Sequence, residues 1–483
     1  MNSRGVFHLI SYLTFVIGLA MVICSGVSRI FNESLDYTKS FLISGIITLA
    51  FAFLLGVLTK GNINLTRRDG FGVVTFGWIV ITLFGSLPYL LSGVINQPIS
   101  ALFETMSGFT TTGASVLSNL EYQPKSILFW RSLTQWLGGM GVLVLCVAIL
   151  PFLGVGGMQI FRAEMPGPSK DRLTPRITTT AKLLWGVYLA LTLVQVLALF
   201  YIGNMNWFDS ICHTFSTIAT GGFSTKTSSI GSFNSTSVDV IIIIFMFLSG
   251  INFALHYHAL RGKPFTYFKD SEFRFYGILL LVVITIVFFS IFNAGVGSVS
   301  TCLLKGTFTT VALITGTGFS SINYDEWPNA IRILLVGMMF FGGCAGSTTG
   351  GMKIIRINIM VKKMVREIRV FMRPSAVIHT KLDKKPVESS IVAQISTFFA
   401  IFVLIFAVGS FIMSFFTPDL ETAVSSVVAT LGGVGPGLSH VGPMENYAEI
   451  PLTGQAFLTF LMLLGRLELY TVLVLLLPSF WKK

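Results

Sequence analysis

Short strips of glycine and threonine recur four times in this sequence of 483 residues, each between two apolar segments. Glycine permits backbone dihedrals that turn successive carbonyl groups toward one axis, and rings of carbonyl oxygens can replace the hydration shell of a monovalent cation. The strips recur at intervals of roughly 100 to 120 residues, so the repeating unit is a helix–loop–helix module. The sequence therefore predicts one cation pore with four walls. The wall residues are Thr110, Thr111, Thr112 and Gly113; Ala219, Thr220, Gly221 and Gly222; Thr315, Gly316, Thr317 and Gly318; and Gly432, Gly433, Val434 and Gly435.

The segment before each strip is too short and too mixed to cross a membrane. We predict a half-membrane helix there, whose negative dipole end points at the membrane centre. The four segments are 100–109, 208–218, 301–314 and 420–430, with Ser100, Asp209, Ser300 and Asp419 as N-caps. Small-residue contacts between packed helices would also explain a single strip. Four strips at the same place in their modules favour the pore.

The composition is that of an integral membrane protein. Hydrophobic residues make up 53% of the chain and charged residues 11%, with a mean hydropathy of +0.78, whereas soluble domains carry about 25% charged residues. This excludes a soluble domain of any size. We predict an all-α fold with ten membrane spans, in which four helix–pore loop–helix repeats surround one central pore and two extra helices precede them.

The apolar runs divide the chain into five segments. Two initial spans lie near 7–30 and 39–59, and we interpret the first as a retained span rather than a signal peptide. The first helices of the four modules lie near 71–95, 180–202, 275–297 and 391–416, and their second helices near 128–152, 237–260, 330–352 and 454–478. The predicted boundaries are 1–68 for the two-helix segment, then 69–165, 166–265, 266–375 and 376–483 for repeats one to four.

Basic residues cluster in alternate loops, which fixes the orientation by the positive-inside rule. In a ten-span chain all six basic clusters fall on one side, so both termini are predicted to be cytoplasmic and the strips to open outward. The net charge of +12 is thereby explained without nucleic acid. The densest cluster, residues 353–385, is either a docking surface for a cytosolic regulator or charge that only sets topology.

A second repeat lies in the second helices. The four tetrads are 138–141, 249–252, 342–345 and 465–468. Three have glycine where the fourth has Arg466, which predicts that Arg466 lies below the strips at a position equivalent to Gly139, Gly250 and Gly343. An intramembrane charge is a functional candidate, here an electrostatic barrier to ions. The alternative is a buried structural ion pair, for instance with Glu468 of another helix.

The second helix of module three contains too much glycine to remain continuous. We predict a flexible loop beneath the strips that can occlude the pore and be displaced, with Lys353 and Arg356 marking the cytoplasmic exit. A kink with close helix packing is the alternative. Together with Arg466, the residues assigned to gating are Gly342, Gly343, Gly346, Ser347, Thr348, Thr349, Gly350 and Gly351.

Cysteine and histidine do not indicate a metal centre or an enzyme. Free packing residues are predicted for the five cysteines, Cys24, Cys146, Cys212, Cys302 and Cys344, since none forms a CxxC pair. His256 and His258 are two residues apart, and His213 and His440 flank strips two and four. None has the spacing of a metal site or a catalytic triad, so we expect no organic cofactor on this chain and no enzymatic activity.

The chain resembles the Trk/Ktr/HKT superfamily of potassium transporters over its whole length. Within it, the two additional N-terminal spans favour the bacterial TrkH type over the shorter Ktr type. The motifs that carry the resemblance are Phe103-Glu104-Thr105-Met106-Ser107-Gly108-Phe109 with strip one, Arg131-Ser132-Leu133-Thr134-Gln135-Trp136, Ala345-Gly346-Ser347-Thr348-Thr349-Gly350-Gly351, and Gly465-Arg466-Leu467-Glu468.

This resemblance implies gated uptake of potassium across the bacterial inner membrane, with the strips as the K⁺ selectivity filter. It also implies membrane lipid as the surroundings, one pore per chain, a homodimer, and a cytosolic nucleotide-binding ring of the TrkA type that opens the gate. Compared with the Thr-Val-Gly-Tyr-Gly strip of tetrameric potassium channels, each strip lacks the Tyr-Gly end, so fewer and less uniform ion sites are expected. The alternative mechanism is symport of K⁺ with H⁺ or Na⁺, which requires titratable groups along the pathway; Glu468 and Glu104 are the candidates.

Overall fold

The computed structural model describes residues 2–60, 66–149, 177–375, 378–383 and 385–482. Within these residues the fold is helical, apart from one two-stranded antiparallel hairpin, in which Lys381–Leu382 pairs with Lys385–Pro386. The prediction of an all-α membrane protein is confirmed. The predicted boundary between repeats one and two, at 165/166, lies outside the described residues.

Ten spans are predicted, and among the described residues six long apolar helices have the length and composition of membrane spans, or up to eight if each bent pair counts as one span. The six are the two initial helices and the first helix of each module. The bounds of the two initial helices are Ser3–Ile30 and Leu35–Leu58, which pack against each other at Gly18 and Leu49. The first helices of the modules are Arg67–Gly85 with the one-turn continuation Leu87–Leu91, then Ile177–Tyr201, Ser271–Asn293 and Ser389–Met413.

The second helices differ from one module to the next. In module one the helix Lys125–Ile149 passes through the tetrad unbroken, and residues 150–152 of the predicted range lie outside the described residues. The other second helices are broken pairs, namely Thr236–Ser249 with Phe253–Leu260, Asn329–Met338 with Ile354–Met372, and Leu452–Arg466 with Tyr470–Leu476.

Two of these breaks contradict the sequence prediction. The helices predicted at 237–260 and 454–478 bend by 100° and 116° respectively. In module two the Asn252 side chain accepts a hydrogen bond from the backbone of Ala254 and begins a new helix. In module four Glu468 and Leu469 are both left-handed, with φ of 54° and 56°, a conformation that cannot continue a right-handed helix.

Apart from the helices that precede the strips, the remaining helical elements are short. They are the helices Thr266–Lys269 and Pro478–Trp481 and the 3-10 turns Leu120–Tyr122, Ser229–Phe233, Tyr324–Glu326, Ser439–Val441 and Tyr447–Glu449. All five turns follow a strip and precede a second helix, so they belong to the segments that connect each strip to the second helix of its module.

Candidate functional site

Four half-length helices lead into the four strips. Their bounds are Pro98–Phe109, Trp207–Ile218, Val299–Ile314 and Leu420–Gly432. Three end at the residue before the strip, and the fourth includes its first glycine. They agree with the predicted segments to within two residues at every end.

The predicted N-caps are correct at one helix only. Asp419 accepts a hydrogen bond from the backbone of Thr422 and caps the fourth helix. Partial burial alone would raise the pKa of Asp419, but hydrogen bonds from Thr422 and Ser439 lower it below its ordinary value. At the second and third helices the caps are Asn206 and Ser298.

The first half-length helix begins after Gln97, whose side chain makes no capping hydrogen bond. The residues predicted as caps of the first three helices, Ser100, Asp209 and Ser300, therefore lie in the first turn. Apolar pattern alone does not locate the start of these helices, because the chain enters each of them through polar residues that are themselves good caps.

The backbone of the four strips repeats closely. The second and fourth residues of every strip have positive φ, and the residue between them does not. The second residues are Thr111 (53°), Thr220 (54°), Gly316 (67°) and Gly433 (67°), and the fourth are Gly113 (90°), Gly222 (77°), Gly318 (70°) and Gly435 (96°). The same alternation in the sign of φ gives the four strips the same course of backbone. Four walls with one backbone geometry follow from this alternation.

One hydrogen bond recurs in all four strips. The N–H of the third residue donates to the carbonyl oxygen five residues earlier, in the half-length helix. The pairs are Thr112 to Ser107 (2.9 Å), Gly221 to Ser216 (2.8 Å), Thr317 to Ala312 (2.8 Å) and Val434 to Ala429 (2.8 Å). This bond holds each strip against the end of its own helix, so the helix C-terminus and the strip move as one unit.

The four strips close into a ring. A Cβ atom built on Gly113 would overlap the carbonyl oxygen of Gly221, and one on Gly222 would overlap that of Thr317. Likewise Gly318 faces the oxygen of Val434. A Cβ on Gly435 would lie 2.6 Å from the oxygen of Thr112, which returns to strip one. Each strip therefore contacts the next in chain order, and each contact sets a fourth-position glycine against a third-position carbonyl.

The ring is braced differently behind each strip. In strips one and three, threonine hydroxyls at the first and third positions hydrogen-bond to each other, Thr110 with Thr112 at 2.8 Å and Thr315 with Thr317 at 2.7 Å. Strip four has no hydroxyl at these positions, and the Tyr447 hydroxyl donates to the oxygen of Gly435 at 2.7 Å. Strip two has only Ala219 and Gly221 there.

The carboxamide of Gln135 braces strip two from the second helix of module one. Its Nε2 donates to the carbonyl oxygen of Gly221 at 2.6 Å, and its Oε1 accepts from the N–H of Phe223 at 3.0 Å. No role for Gln135 follows from the sequence alone. The signal that points to it is the third position of the strips, where Thr112, Thr317 and Val434 have side chains and Gly221 has none.

A buried ion pair joins strips one and two beyond the ring. Arg131 Nε donates to Glu104 Oε1 at 2.7 Å, with both side chains almost fully buried. The same guanidinium donates to the oxygen of Ser224 at 3.0 Å and lies 4.1 Å above the centre of the Phe223 ring. The other carboxylate oxygen of Glu104 accepts from the N–H of Val116 at 2.8 Å. This network ties the chain after strip one to the chain after strip two.

An open cavity lies against one end of the ring of strips. Gly113, Gly222 and Gly318 contribute to its lining, together with Lys226 and Glu445. The cavity is thus continuous with the fourth positions of three strips. The ring is therefore open to its surroundings on this side.

The opposite side of the ring is occupied by the glycine-rich segment of module three. Residues 342–351 leave the helical path after Met338 and return to helix at Ile354. The Thr348 hydroxyl donates to the oxygen of Ile218 at 3.0 Å and lies 3.3 Å from the Thr220 hydroxyl of strip two. A Cβ on Gly350 would lie 2.9 Å from the oxygen of Gly432 in strip four. The loop therefore contacts two opposite walls.

Hydrogen bonds from three directions hold this loop. The N–H of Cys344 donates to the oxygen of Gly250 at 2.8 Å, and the oxygen of Gly346 accepts from the N–H of Phe253 at 3.0 Å. The buried carboxylate of Glu272 accepts from the N–H of Ala345 at 2.7 Å and from that of Ile355 at 3.0 Å. Glu272 thus joins the start of the loop to the helix that follows it.

Arg466 provides the third attachment. Its guanidinium donates to the carbonyl oxygens of Thr348 at 2.9 Å and Gly138 at 3.2 Å. Gly138 and Gly465 each abut the residue before a strip, Phe109 and Leu431 respectively. Gly139 and Arg466 therefore follow at equivalent positions.

Glu468 pairs with a different arginine from the Arg466 that the sequence suggested. Its carboxylate pairs with Arg356, whose guanidinium lies 4.2 Å above the centre of the Phe398 ring. Lys353 is buried, and its ammonium donates to the oxygen of Thr349. The two basic residues that follow the loop are thus bound to the loop and to module four.

The histidines near the strips have protein partners. His213 hydrogen-bonds to the oxygen of Asp209 at 2.8 Å and to the Ser224 hydroxyl at 2.9 Å, and His256 to Tyr267 at 2.7 Å. Among the described residues, no three His, Cys, Asp or Glu side chains are placed to hold a metal ion together. Cys24, Cys212, Cys302 and Cys344 are free and buried, whereas the Cys146 side chain lies outside the described part of the chain.

Comparison with known proteins agrees with this architecture. Residues 37–483 match the TrkH family, described as a cation transport protein. The Trk system potassium uptake protein TrkH of Halomonas elongata is 41% identical over 487 residues, and that of Escherichia coli K12 is 39% identical over 494 residues, each alignment covering 100% of both chains. The crystal structure of the potassium transporter TrkH from Vibrio parahaemolyticus superimposes with a TM-score of 0.91 at 35% identity, covering 100% of both chains.

Proposed function

The chain belongs to the TrkH family of cation transport proteins, and we propose from this that it takes up potassium as the membrane subunit of a Trk system. The family is one of transporters, not of enzymes. The ring of four strips is the proposed selectivity filter, with the strip carbonyl oxygens as ligands of the transported K⁺. A bacterial inner membrane with cytoplasmic termini is the proposed location.

The observation that carries this proposal is the closure of the ring in chain order. Four segments that are up to about 320 residues apart share one backbone pattern and contact each other in a cycle. Helix packing needs glycine at contacts, but it does not need left-handed residues at the same two positions of four strips. Non-helical backbone at membrane depth is tolerated where it is buried in protein or lines a cavity.

The loop of module three is the proposed gate. It contacts strips two and four from the side opposite the open cavity, and Ser347, Thr348 and Thr349 are all buried. With the loop as the gate, this arrangement corresponds to an occluded pore. Conduction requires that the loop leave Ile218, Gly250 and Arg466, which breaks hydrogen bonds to modules two and four together.

Membrane potential is a sufficient driving force for this uptake. Moving one charge through 100 mV provides about 2.3 kcal/mol, which sustains roughly a 50-fold accumulation of a monovalent cation. The symport alternative needs a titratable group on the pathway. Glu104 and Glu468 are the candidates, and they are paired with Arg131 and Arg356 respectively. Passive, gated flow is the simpler proposal.

The partners proposed are a second copy of this chain and a cytosolic nucleotide-binding ring of the TrkA type. The helix Ile354–Met372 continues directly from the loop, and Arg369 and Arg373 at its end are exposed. A regulator that pulls on this helix would act on the loop through Ile354 and Ile355. Basic side chains at this place suit an acidic surface on the regulator.

The test is single-channel recording of the full-length chain in lipid bilayers under K⁺ and Na⁺ gradients, with and without the cytosolic partner. We expect currents that reverse at the K⁺ equilibrium potential and increase when the activated partner is present. A reversal potential that follows pH or the Na⁺ gradient would establish symport instead. Absence of both current and ⁸⁶Rb⁺ flux under every condition would refute the pore.

A further inference from the structure

The ring of strips is uneven at its third position. Thr112, Thr317 and Val434 occupy this position in strips one, three and four, whereas strip two has Gly221. A glycine at this position leaves the strip without a side chain to fix it from behind. It also increases the backbone freedom of the strip.

The side chain of Gln135 occupies this place. A Cβ built on Gly221 would lie 2.5 Å from Cδ, 2.7 Å from Oε1 and 2.8 Å from Nε2 of Gln135. The carboxamide therefore stands where the third-position side chain of the other strips begins. Gln135 is fully buried. Its amide nitrogen donates a hydrogen bond to strip two, and its amide oxygen accepts one from the residue that follows the strip.

The bonded oxygen is one of the four that close the ring. Gly113 of strip one packs directly against the carbonyl oxygen of Gly221, and Gln135 donates to that same oxygen. A hydrogen bond to a carbonyl fixes its direction and withdraws part of its negative charge from a neighbouring cation. The number, position and field strength of carbonyl dipoles determine how well a ring prefers K⁺ to Na⁺.

We propose that Gln135 is a specificity-determining residue of the filter, whose carboxamide replaces the missing third-position side chain of strip two and holds the Gly221 oxygen at a distance suited to K⁺. Without it, strip two is free to move inward and the ring can contract around the smaller Na⁺. This inference rests on the proposed potassium pore and adds the part that one residue outside the strips has in its selectivity.

The test compares Gln135→Glu and Gln135→Met with the wild-type chain. Glutamate keeps the acceptor for Phe223 but cannot donate to the Gly221 oxygen, and methionine keeps the length of the side chain without either bond. The full-length proteins are reconstituted with the cytosolic partner, and the K⁺/Na⁺ permeability ratio is read from bi-ionic reversal potentials. We expect this ratio to fall about tenfold in both variants, since a buried carbonyl loses its donor.

A matched control is Gln195→Met. Gln195 is also fully buried but lies on the first helix of module two, so we expect an unchanged permeability ratio. Rescue gives a second readout. In Gln135→Ala the ratio should fall, and in Gln135→Ala combined with Gly221→Thr it should recover at least in half, because the new threonine fills the vacated space. Gly221→Thr alone should not preserve the wild-type permeability ratio, since its Cβ would overlap the side chain of Gln135.

Two results would overturn the inference. One is a permeability ratio within twofold of wild type in conducting Gln135→Glu and Gln135→Met proteins. The other is an equal loss of K⁺ and Na⁺ conductance without a change in ratio, which is what a purely structural role produces. Failure of the proposed function is distinguishable, because the wild-type chain itself would then carry no K⁺ current.

Discussion

The guanidinium of Arg466 donates to the carbonyl oxygen of Thr348 at 2.9 Å, which connects the second helix of module four to the middle of the loop in module three. The same guanidinium donates to Gly138 in module one. One side chain thus spans three modules beneath the ring. The loop is held in place by a residue that takes the position of a glycine in another module.

Arg466→Gln should increase K⁺ flux in the absence of the cytosolic partner. Hydrogen bonds from a charged group contribute about 1.5–3 kcal/mol, so the equilibrium between occluded and open loop should shift by roughly tenfold or more. ⁸⁶Rb⁺ uptake into liposomes measures this, with Arg466→Lys as the variant that retains the charge. Basal flux equal to wild type in Arg466→Gln would show that the contact does not restrain the loop.

Glu272→Ala should also weaken the restraint, by a different route. Its carboxylate accepts from Ala345 and Ile355, and both N–H groups would be left buried without their acceptor at a cost of about 1–3 kcal/mol each. We expect higher basal Rb⁺ uptake and a lower thermal transition temperature in detergent. Glu272→Gln keeps an acceptor oxygen and should lie between alanine and wild type. A variant that is destabilised but not leaky would separate folding from gating.

Gly318→Ala should abolish most K⁺ flux, by at least about tenfold. A Cβ there would overlap the oxygen of Val434, so strips three and four must move apart. Gly295→Ala is a matched control, because its φ of +73° is close to the +70° of Gly318 but no atom lies within 4 Å of the added Cβ. Both variants bear the left-handed strain of about 1–2 kcal/mol. Equal flux in the two would mean that contact within the ring does not matter.

Arg131→Met should destabilise the protein by about 3–5 kcal/mol, because it leaves the Glu104 carboxylate buried without its partner. Thermal unfolding followed by fluorescence-detected size exclusion measures the change. Combining it with Glu104→Gln should restore part of the loss. Arg274→Met removes a largely exposed ion pair with Asp383 and should cost less than about 1 kcal/mol. Similar losses in both single variants would contradict this explanation.

Local signals in the sequence were sufficient for the six long helices and for the half-length helices that lead into the strips. An apolar run, a polar start and a glycine-rich end lie next to one another in the chain, and each has a direct physical consequence. The composition of residues 342–351 likewise indicates a break in the helix. These features do not depend on which other module lies nearby.

The contacts between modules could not be predicted in the same way. At the bend after Ser249 the oxygen of Gly250 accepts a hydrogen bond from the N–H of Cys344, which belongs to another module. The ion pair of Glu468 with Arg356 joins module four to module three. The hydrogen bond from Gln135 to Gly221 forms only because the second helix of module one lies beside strip two. Such pairings require the three-dimensional arrangement, and no spacing in the sequence specifies them.

The closed cycle from strip one to strip four has a genetic consequence. In a channel assembled from four identical chains, a cell with one defective and one normal gene makes mixed pores, and most contain a damaged wall. Here a single polypeptide supplies all four strips, so a mutation in the proposed filter impairs only the pore of the chain that carries it. Mutations in the proposed filter should therefore be recessive to a normal copy of the gene.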